Sequence, residues 1–304
     1  STLSSSSAAS DVYKRQVLKQ VAVPHSYYWR EMYIPQLTTG PSGAAWSSDG
    51  EALYFSAKGR IWRQKLTSDV AEQITDGDSY DYQPDISPDG RRLVFARYAQ
   101  DAIELVVRDL RSGREFPLTA NGAVNIDPRW SPDGKKIAFV STDATGHFHI
   151  AIAESDGRDW TVNRWRDERT TQAPRYYYSQ TDHELSPAWS PDGREILFVS
   201  NADLQHGAGF IYRQAVDLSS PPVVAREEET SWKSAPDVSP DGKRIAYASY
   251  LGRQWHQLWM VSAESGDYPM PFTYGEFDIQ RPRWSPEGDA IAYITNCLLY
   301  TSPS

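Results

Sequence analysis

The chain has 304 residues, of which 39% are hydrophobic, 23% charged and 12% aromatic, including 11 Trp and 18 Tyr. This load can fill a core and excludes wholesale disorder, while apolar runs of about five residues fall far short of the roughly 20 that cross a bilayer as a helix. A formal net charge of −9 argues against a general nucleic-acid or anionic-membrane binder, and a single Cys permits neither an intrachain disulfide nor a Cys-based zinc site.

The two ends share none of the patterning between them. Residues 1–16 are Ser-rich, and residues 297–304 begin at the lone Cys297. Both read as translated adaptor sequence and are set apart from the fold, with a natural Ser-rich tail as the alternative. Residues 17–296 then form one domain, and the presence of a signal peptide cannot be judged from this sequence.

Within that domain one unit recurs six times, at 46–50 (Trp-Ser-Ser-Asp-Gly), 86–90 (Ile-Ser-Pro-Asp-Gly), 130–134 and 189–193 (Trp-Ser-Pro-Asp-Gly), 238–242 (Val-Ser-Pro-Asp-Gly) and 284–288 (Trp-Ser-Pro-Glu-Gly). Gly-to-Gly spacings of 40, 44, 59, 49 and 46 residues are near the period of a four-stranded propeller blade. Pro presets φ, Asp caps the turn and Gly takes the positive φ, so each unit predicts a hairpin. An apolar run follows each turn, at 53–55, 93–95, 137–139, 196–198, 245–247 and 291–293, as suits a strand buried on both faces. Third strands are predicted at 60–66, 103–110, 148–153, 210–216 and 258–262.

A second marker, an apolar residue followed by Thr, occurs at Leu37-Thr38, Ile74-Thr75, Leu118-Thr119 and Phe272-Thr273, and reads as a fourth strand. For the last three the distance from Thr to the next hairpin Gly is constant at 15 residues. The fold predicted is all-β, a six-bladed propeller of four-stranded antiparallel blades. The last blade is incomplete, or closed by the N-terminal segment 30–38, which would cover otherwise bare strand edges.

Several groups of residues invite a chemical reading. His147-Phe148-His149 has metal-ligand spacing on a strand, yet lies where repeat three needs its third strand. The stretch from Asp76 to Asp81 resembles a calcium loop but has Ser87 where the closing Glu belongs. The insertion 156–183 interleaves five Arg with Trp160, Trp165 and Tyr176, Tyr177 and Tyr178, and five acidic residues balance it; a surface loop or inter-domain contact fits it better than a ligand site. The residue before each hairpin's apolar position should face the axis. In ring order these are Ala45, Asp85, Arg129, Ala188, Asp237 and Arg283. Asp85, Arg129, Asp237 and Arg283 are the candidate channel-lining residues, with Asp85 expected beside Arg129 and Asp237 beside Arg283. No catalytic, metal or cofactor-binding residue is predicted.

The unit Pro-x-Trp-Ser-Pro-Asp-Gly-x-x-Ile-x-Phe resembles the TolB-type (WD40-like) β-propeller repeat from about residue 36 to 296. Tyr28 to Tyr33, Tyr80 to Pro84, Ala123 to Asn125, Pro174 to Ser179, Asp182-His183 and His206-Gly207 further resemble the N-terminal propeller of exported bacterial amidohydrolases. The resemblance implies a non-catalytic module that scaffolds or gates a partner catalytic domain, in a periplasmic or secreted metal-dependent hydrolase. It implies a protein partner, no nucleic acid and no membrane insertion. The alternatives are a free-standing protein–protein interaction propeller and the propeller of a prolyl-oligopeptidase-type serine peptidase.

Overall fold

The Ser-Pro-Asp-Gly turn is organised by its serine. In the first five repeats the Ser Oγ (Ser47, Ser87, Ser131, Ser190, Ser239) donates to the Asp two residues on at 2.5–2.6 Å. It also accepts the N–H five residues on at 2.9 Å. The turn glycines sit at φ of +70° to +73°, where a β-carbon would be strained. In the sixth repeat Glu287 replaces the Asp, and Asp289 takes over, accepting from Ser285 Oγ at 2.8 Å.

The computed structural model describes residues 41–99, 102–143, 146–157, 163–165, 182–202, 204, 209–228 and 234–296. Both end segments, 1–16 and 297–304, and the expected strand at 30–38 lie outside the described residues. Each turn links an innermost strand to the next strand out. Blade one is β1 (Ala44–Trp46), β2 (Ala52–Ala57), β3 (Arg60–Lys65) and β4 (Ala71–Gln73); blade two is β5 (Tyr80–Ile86), β6 (Arg92–Ala99), β7 (Ala102–Asp109) and β8 (Glu115–Pro117). Blade three is β9 (Asn125–Trp130), β10 (Lys136–Ser141), β11 (His149–Glu154) and β12 (Asn163–Arg164). Blade four is β13 (Glu184–Trp189), β14 (Glu195–Ser200), β15 (Phe210–Ala215) and β16 (Val223–Arg226). Blade five is β17 (Asp237–Val238), β18 (Arg244–Ser249), β19 (Gln257–Ser262) and β20 (Met270–Pro271), and the sixth sector holds β21 (Ile279–Trp284) and β22 (Ile291–Thr295).

Every pairing in these sheets is antiparallel between consecutive strands. The protein is thus a propeller of small four-stranded sheets. The expectation of six such blades is corrected: among the described residues five are complete and the sixth sector is a two-stranded hairpin. The reason is local, because no described residue pairs with the outer edge of β22. The innermost strands still neighbour one another in sequence around the axis, with β1 against β21.

The second strand of each blade carries the core. Leu93, Val94 and Phe95, and likewise Ile137, Ala138 and Phe139, are fully buried, each large side chain contributing about 1.5–3 kcal/mol. The constant spacing of the Thr marker has a geometric cause. The hydroxyls of Thr75, Thr119 and Thr273 accept the third-strand N–H of Ile61, Leu105 and Leu258 at 2.9–3.0 Å, just beyond the end of the fourth strand. Part of the insertion is core: β12 completes blade three, and the buried Trp165 donates to the Val216 carbonyl at 3.0 Å and packs edge-on against Phe198. Among the described residues no helix is long and apolar enough to cross a membrane.

The Ser hydroxyl, aided by backbone N–H groups, holds the carboxyls of Asp49, Asp89, Asp133, Asp192 and Asp241 below their ordinary value. A carboxyl whose folded value is depressed stabilises the fold above its unfolded value, near 3.9, and that contribution is lost as pH falls through the folded value. The melting temperature should therefore drop steeply below about pH 4. Asp133→Asn should flatten that acid limb in a thermal-denaturation series from pH 6 to 2.5; an unchanged limb would count against the turn as the acid-sensitive element.

Candidate functional site: the axial channel

The innermost strands do not run straight past the axis. A bulge interrupts the pairing of β5, β9, β13 and β21 with their partners between Tyr82 and Asp85, Ile126 and Arg129, Leu185 and Ala188, and Gln280 and Arg283. At each bulge stands a residue followed by Pro, which has no N–H to lose. Gln83, Asp127, Ser186 and Arg281 adopt φ of +52° to +53°, and Ala235 in blade five adopts +39°. Left-handed backbone costs roughly 1–2 kcal/mol per non-Gly residue and persists where the surroundings over-determine it. Here the surroundings are the polar lining of the bore.

Two adjoining cavities open on the axis, about 240 and 180 Å³ with their mouths included. Asp127, Arg281 and Arg283 line both; Gly43, Ala44 and Gln83 line the larger. Asp127 is the hub. Its carboxylate accepts from Gln83 Nε2 at 2.7 Å, its N–H donates to Gln83 Oε1 at 3.0 Å, and it forms an ion pair with Arg281 on the opposite side of the ring.

The residues expected at the channel are placed as follows. Arg129 Nη2 lies 2.5 Å from Asp237 Oδ1, so the ion pair runs from blade three to blade five across blade four. Ala188, the equivalent residue of blade four, is too small to intervene. Asp85 instead accepts the Trp130 N–H at 2.8 Å, and Asp237 accepts the Trp284 N–H at 2.8 Å. Arg283 donates to the Pro282 carbonyl at 3.1 Å. The pairs Asp85–Arg129 and Asp237–Arg283 are not among the ion pairs formed by the described residues: Arg129 reaches past blade four to Asp237, and Arg283 bonds the carbonyl of the residue before it.

Burial governs the electrostatics. It pushes the Asp85 carboxyl up, partly countered by Arg129. It also drives Arg283 down to about 10, with the like charge of Arg129 adding to the effect. Burial opposes the charge on Arg129 as well, but Asp237 and Asp85 outweigh it and hold that guanidinium above its ordinary value.

Adjacent sectors are joined in alternating ways. Where the preceding inner residue is Arg, its carbonyl accepts the next indole: Trp46 Nε1 to Arg283 O at 2.9 Å, and Trp189 Nε1 to Arg129 O at 3.0 Å. Where it is Asp, an arginine of the same blade covers the next indole instead, Arg92 on Trp130 at 4.6 Å and Arg244 on Trp284 at 5.0 Å. The Ala-Asp-Arg order repeated in sequence thus becomes joints that recur on opposite sides of the ring.

Elsewhere the chemical candidates are occupied. His149 is buried on β11 with Nδ1 3.1 Å from the His147 carbonyl. Arg60 donates to the carbonyls of Gly77 and Ser79, tying down the loop that resembled a calcium site. No group of three or more His, Cys, Asp or Glu side chains converges on a cation position among the described residues. Most of the insertion, 158–162 and 166–181, lies outside them. Sequence reasoning missed the bulge residues Gln83, Asp127 and Arg281, although the signal was present: each lies two positions before a predicted lining residue and directly before Pro.

Comparison with known proteins agrees with this architecture. The TolB beta propeller domain (PD40) matches residues 42–177. The Tol-Pal system protein TolB of Francisella tularensis subsp. holarctica is 24% identical over 239 residues, covering 67% of this chain and 54% of that protein. A Bacillus subtilis protein described as an uncharacterized peptidase, YuxL, is 26% identical over 219 residues, covering 70% of this chain and 29% of its own length. The crystal structure of TolB from Acinetobacter baumannii superposes with a TM-score of 0.65 at 21% identity, over 81% of this chain and 57% of that one. The chain therefore spans about half the length of the TolB relatives it matches.

The Arg129–Asp237 pair gives a direct test. Removing one partner of a buried ion pair strands the other charge and costs about 3–5 kcal/mol, whereas replacing both by apolar residues is often near neutral. Asp237→Ala should lower stability on that scale in denaturant titration, and adding Arg129→Met should restore much of the loss. Equal losses in the single and double variants would show that the pair does not act as a unit. Repeat and inner-ring geometry converge on one architecture: the described residues form a β-propeller of small antiparallel sheets, and its segment 42–177 is similar to the TolB beta propeller domain.

Proposed function

We propose that this propeller is a non-catalytic module that scaffolds a partner catalytic domain and limits access to it, in a periplasmic or secreted protein whose catalytic part is a metal-dependent amidohydrolase. The observation that carries the reading is the pair of struts across the bore. Arg281–Asp127 and Arg129–Asp237 commit the best-placed polar groups to holding the ring, so a partner is met by surfaces rather than passed through the axis. The TolB relatives, named for the Tol-Pal system, support a protein partner and an exported location. The peptidase relative supports the rival reading of a peptidase propeller, in which the bore would have to admit peptides. In neither reading does this chain need a cofactor of its own.

The test is enzymatic and associative. The purified 304-residue chain should hydrolyse amide, lactam and peptide substrates no faster than buffer. It should form a one-to-one complex with the domain encoded downstream in the uninterrupted reading frame. Hydrolysis that survives repurification of the chain alone, or a downstream domain carrying Gly-x-Ser-x-Gly, would overturn the amidohydrolase reading.

A further inference from the structure

Four of the large apolar side chains that the fold leaves bare fall within one short stretch of blade five. Tyr268, Met270, Phe272 and Tyr274 are 89%, 61%, 58% and 65% exposed. They alternate along β20 and its two flanks, so all four stand on one face of the sheet. Their place in the fold explains the exposure. Phe272 and Met270 correspond to Leu118 and Phe116 of blade two, since Phe272 and Leu118 each donate a backbone N–H to the third strand, at Leu258 and Leu105. Leu118 is fully buried, and Phe116 lies so close to the turn after the third strand of blade three that a β-carbon on Gly157 would overlap its ring. Beside blade five the described residues of the sixth sector form two strands, and no such turn is among them.

The bare strand is blunted against backbone pairing. Met270 pairs with Met260, so the N–H groups of positions 269 and 271 would point away from the sheet, and both residues are Pro. A partner therefore meets side chains. Large aromatic residues carry about 150–250 Å² each, so the stripe offers roughly 500 Å², the upper end of what a monomer leaves bare. Two stripes face to face would remove about 1,000 Å², the least that a specific interface needs. The two ends of the stripe differ in charge. Asp267 is exposed beside Tyr268, and the Arg253 guanidinium, on an exposed residue, lies 4.7 Å over the Tyr274 ring. Laid antiparallel about Pro271, two stripes match apolar to apolar and bring Asp267 of each copy to Arg253 of the other, the self-complementary arrangement of a two-fold axis.

We propose that the stripe Tyr268, Met270, Phe272 and Tyr274 is the contact surface of a homodimer, in which the outer strands of two copies of blade five pack antiparallel by their side chains. The interface is independent of the scaffold reading, since it needs no catalytic domain.

The test follows the mass of the full chain by sedimentation across a concentration series. Mass should rise from one chain to two with a midpoint at about micromolar concentration, as suits an interface near the lower size limit. Phe272→Glu and Met270→Glu should each raise that midpoint about tenfold or more and leave the melting temperature of the monomer unchanged. Val70→Glu, at an exposed position between β3 and β4 of blade one, should not move it. Asp267→Arg should also weaken association, and adding Arg253→Asp should restore most of the loss. A single chain at every concentration, a midpoint unmoved by Phe272→Glu, or no rescue in the charge-exchanged double variant would each overturn the proposal. So would a lowered melting temperature of monomeric Phe272→Glu, which would show the stripe covered by other residues of its own chain.

Discussion

Sheets arranged around an axis satisfy their own backbone hydrogen bonds internally, so they adhere to one another only through side chains, and the ring is as sound as the joint between its first and last sectors. In this protein that joint is the Trp46 indole donating to the Arg283 carbonyl. The same bond recurs between Trp189 and Arg129 on the far side. Everything described at the axis follows from that closure. The bulged Pro-containing strands converge, their left-handed residues are pressed toward a common centre, and charges that would be far apart on an open sheet come within bonding distance.

The repeating architecture was legible because the turn chemistry is local. Ser, Pro, Asp and Gly each have one task within a few residues, and the Thr that ends the outer strand bonds a strand only one hairpin away. The partner of each arginine was not legible. Strand alternation places Arg129 and Asp85 in adjacent sectors, but pairing depends on the width of the bore and on the bulk of the residue between, here Ala188. The insertion misled for a related reason: its loop-like composition hid Trp165, whose burial depends on Phe198 in another blade. The count of six blades rested on the hairpin signature, which marks only two of a blade's four strands.

Fold and role also separate here on physical grounds. The turn hydrogen bonds, the hydroxyl-terminated outer strands and the fully buried second strands explain why the chain folds as it does and would serve any propeller equally well. What distinguishes this ring is the set of side chains that its bulged strands present to the bore, where two ion pairs cross the axis and Arg283 donates to the Pro282 carbonyl.

The joints are not equally tight at the inner rim. Turn glycines mostly rest against the proline of the preceding repeat, so that a β-carbon at Gly134, Gly193, Gly288 or Gly50 would stand 3.3–3.7 Å from Pro88, Pro132, Pro240 or Pro286. Gly242 has nothing within 4 Å, and Val238 brings no indole to the joint between blades four and five. That joint is stitched at its outer side instead, where Arg213 and Arg226 donate to the Ala263 and Gly266 carbonyls. That joint is therefore held at the outer rim by these two arginines and at the hub by the Arg129–Asp237 bridge, which spans it from blade three to blade five.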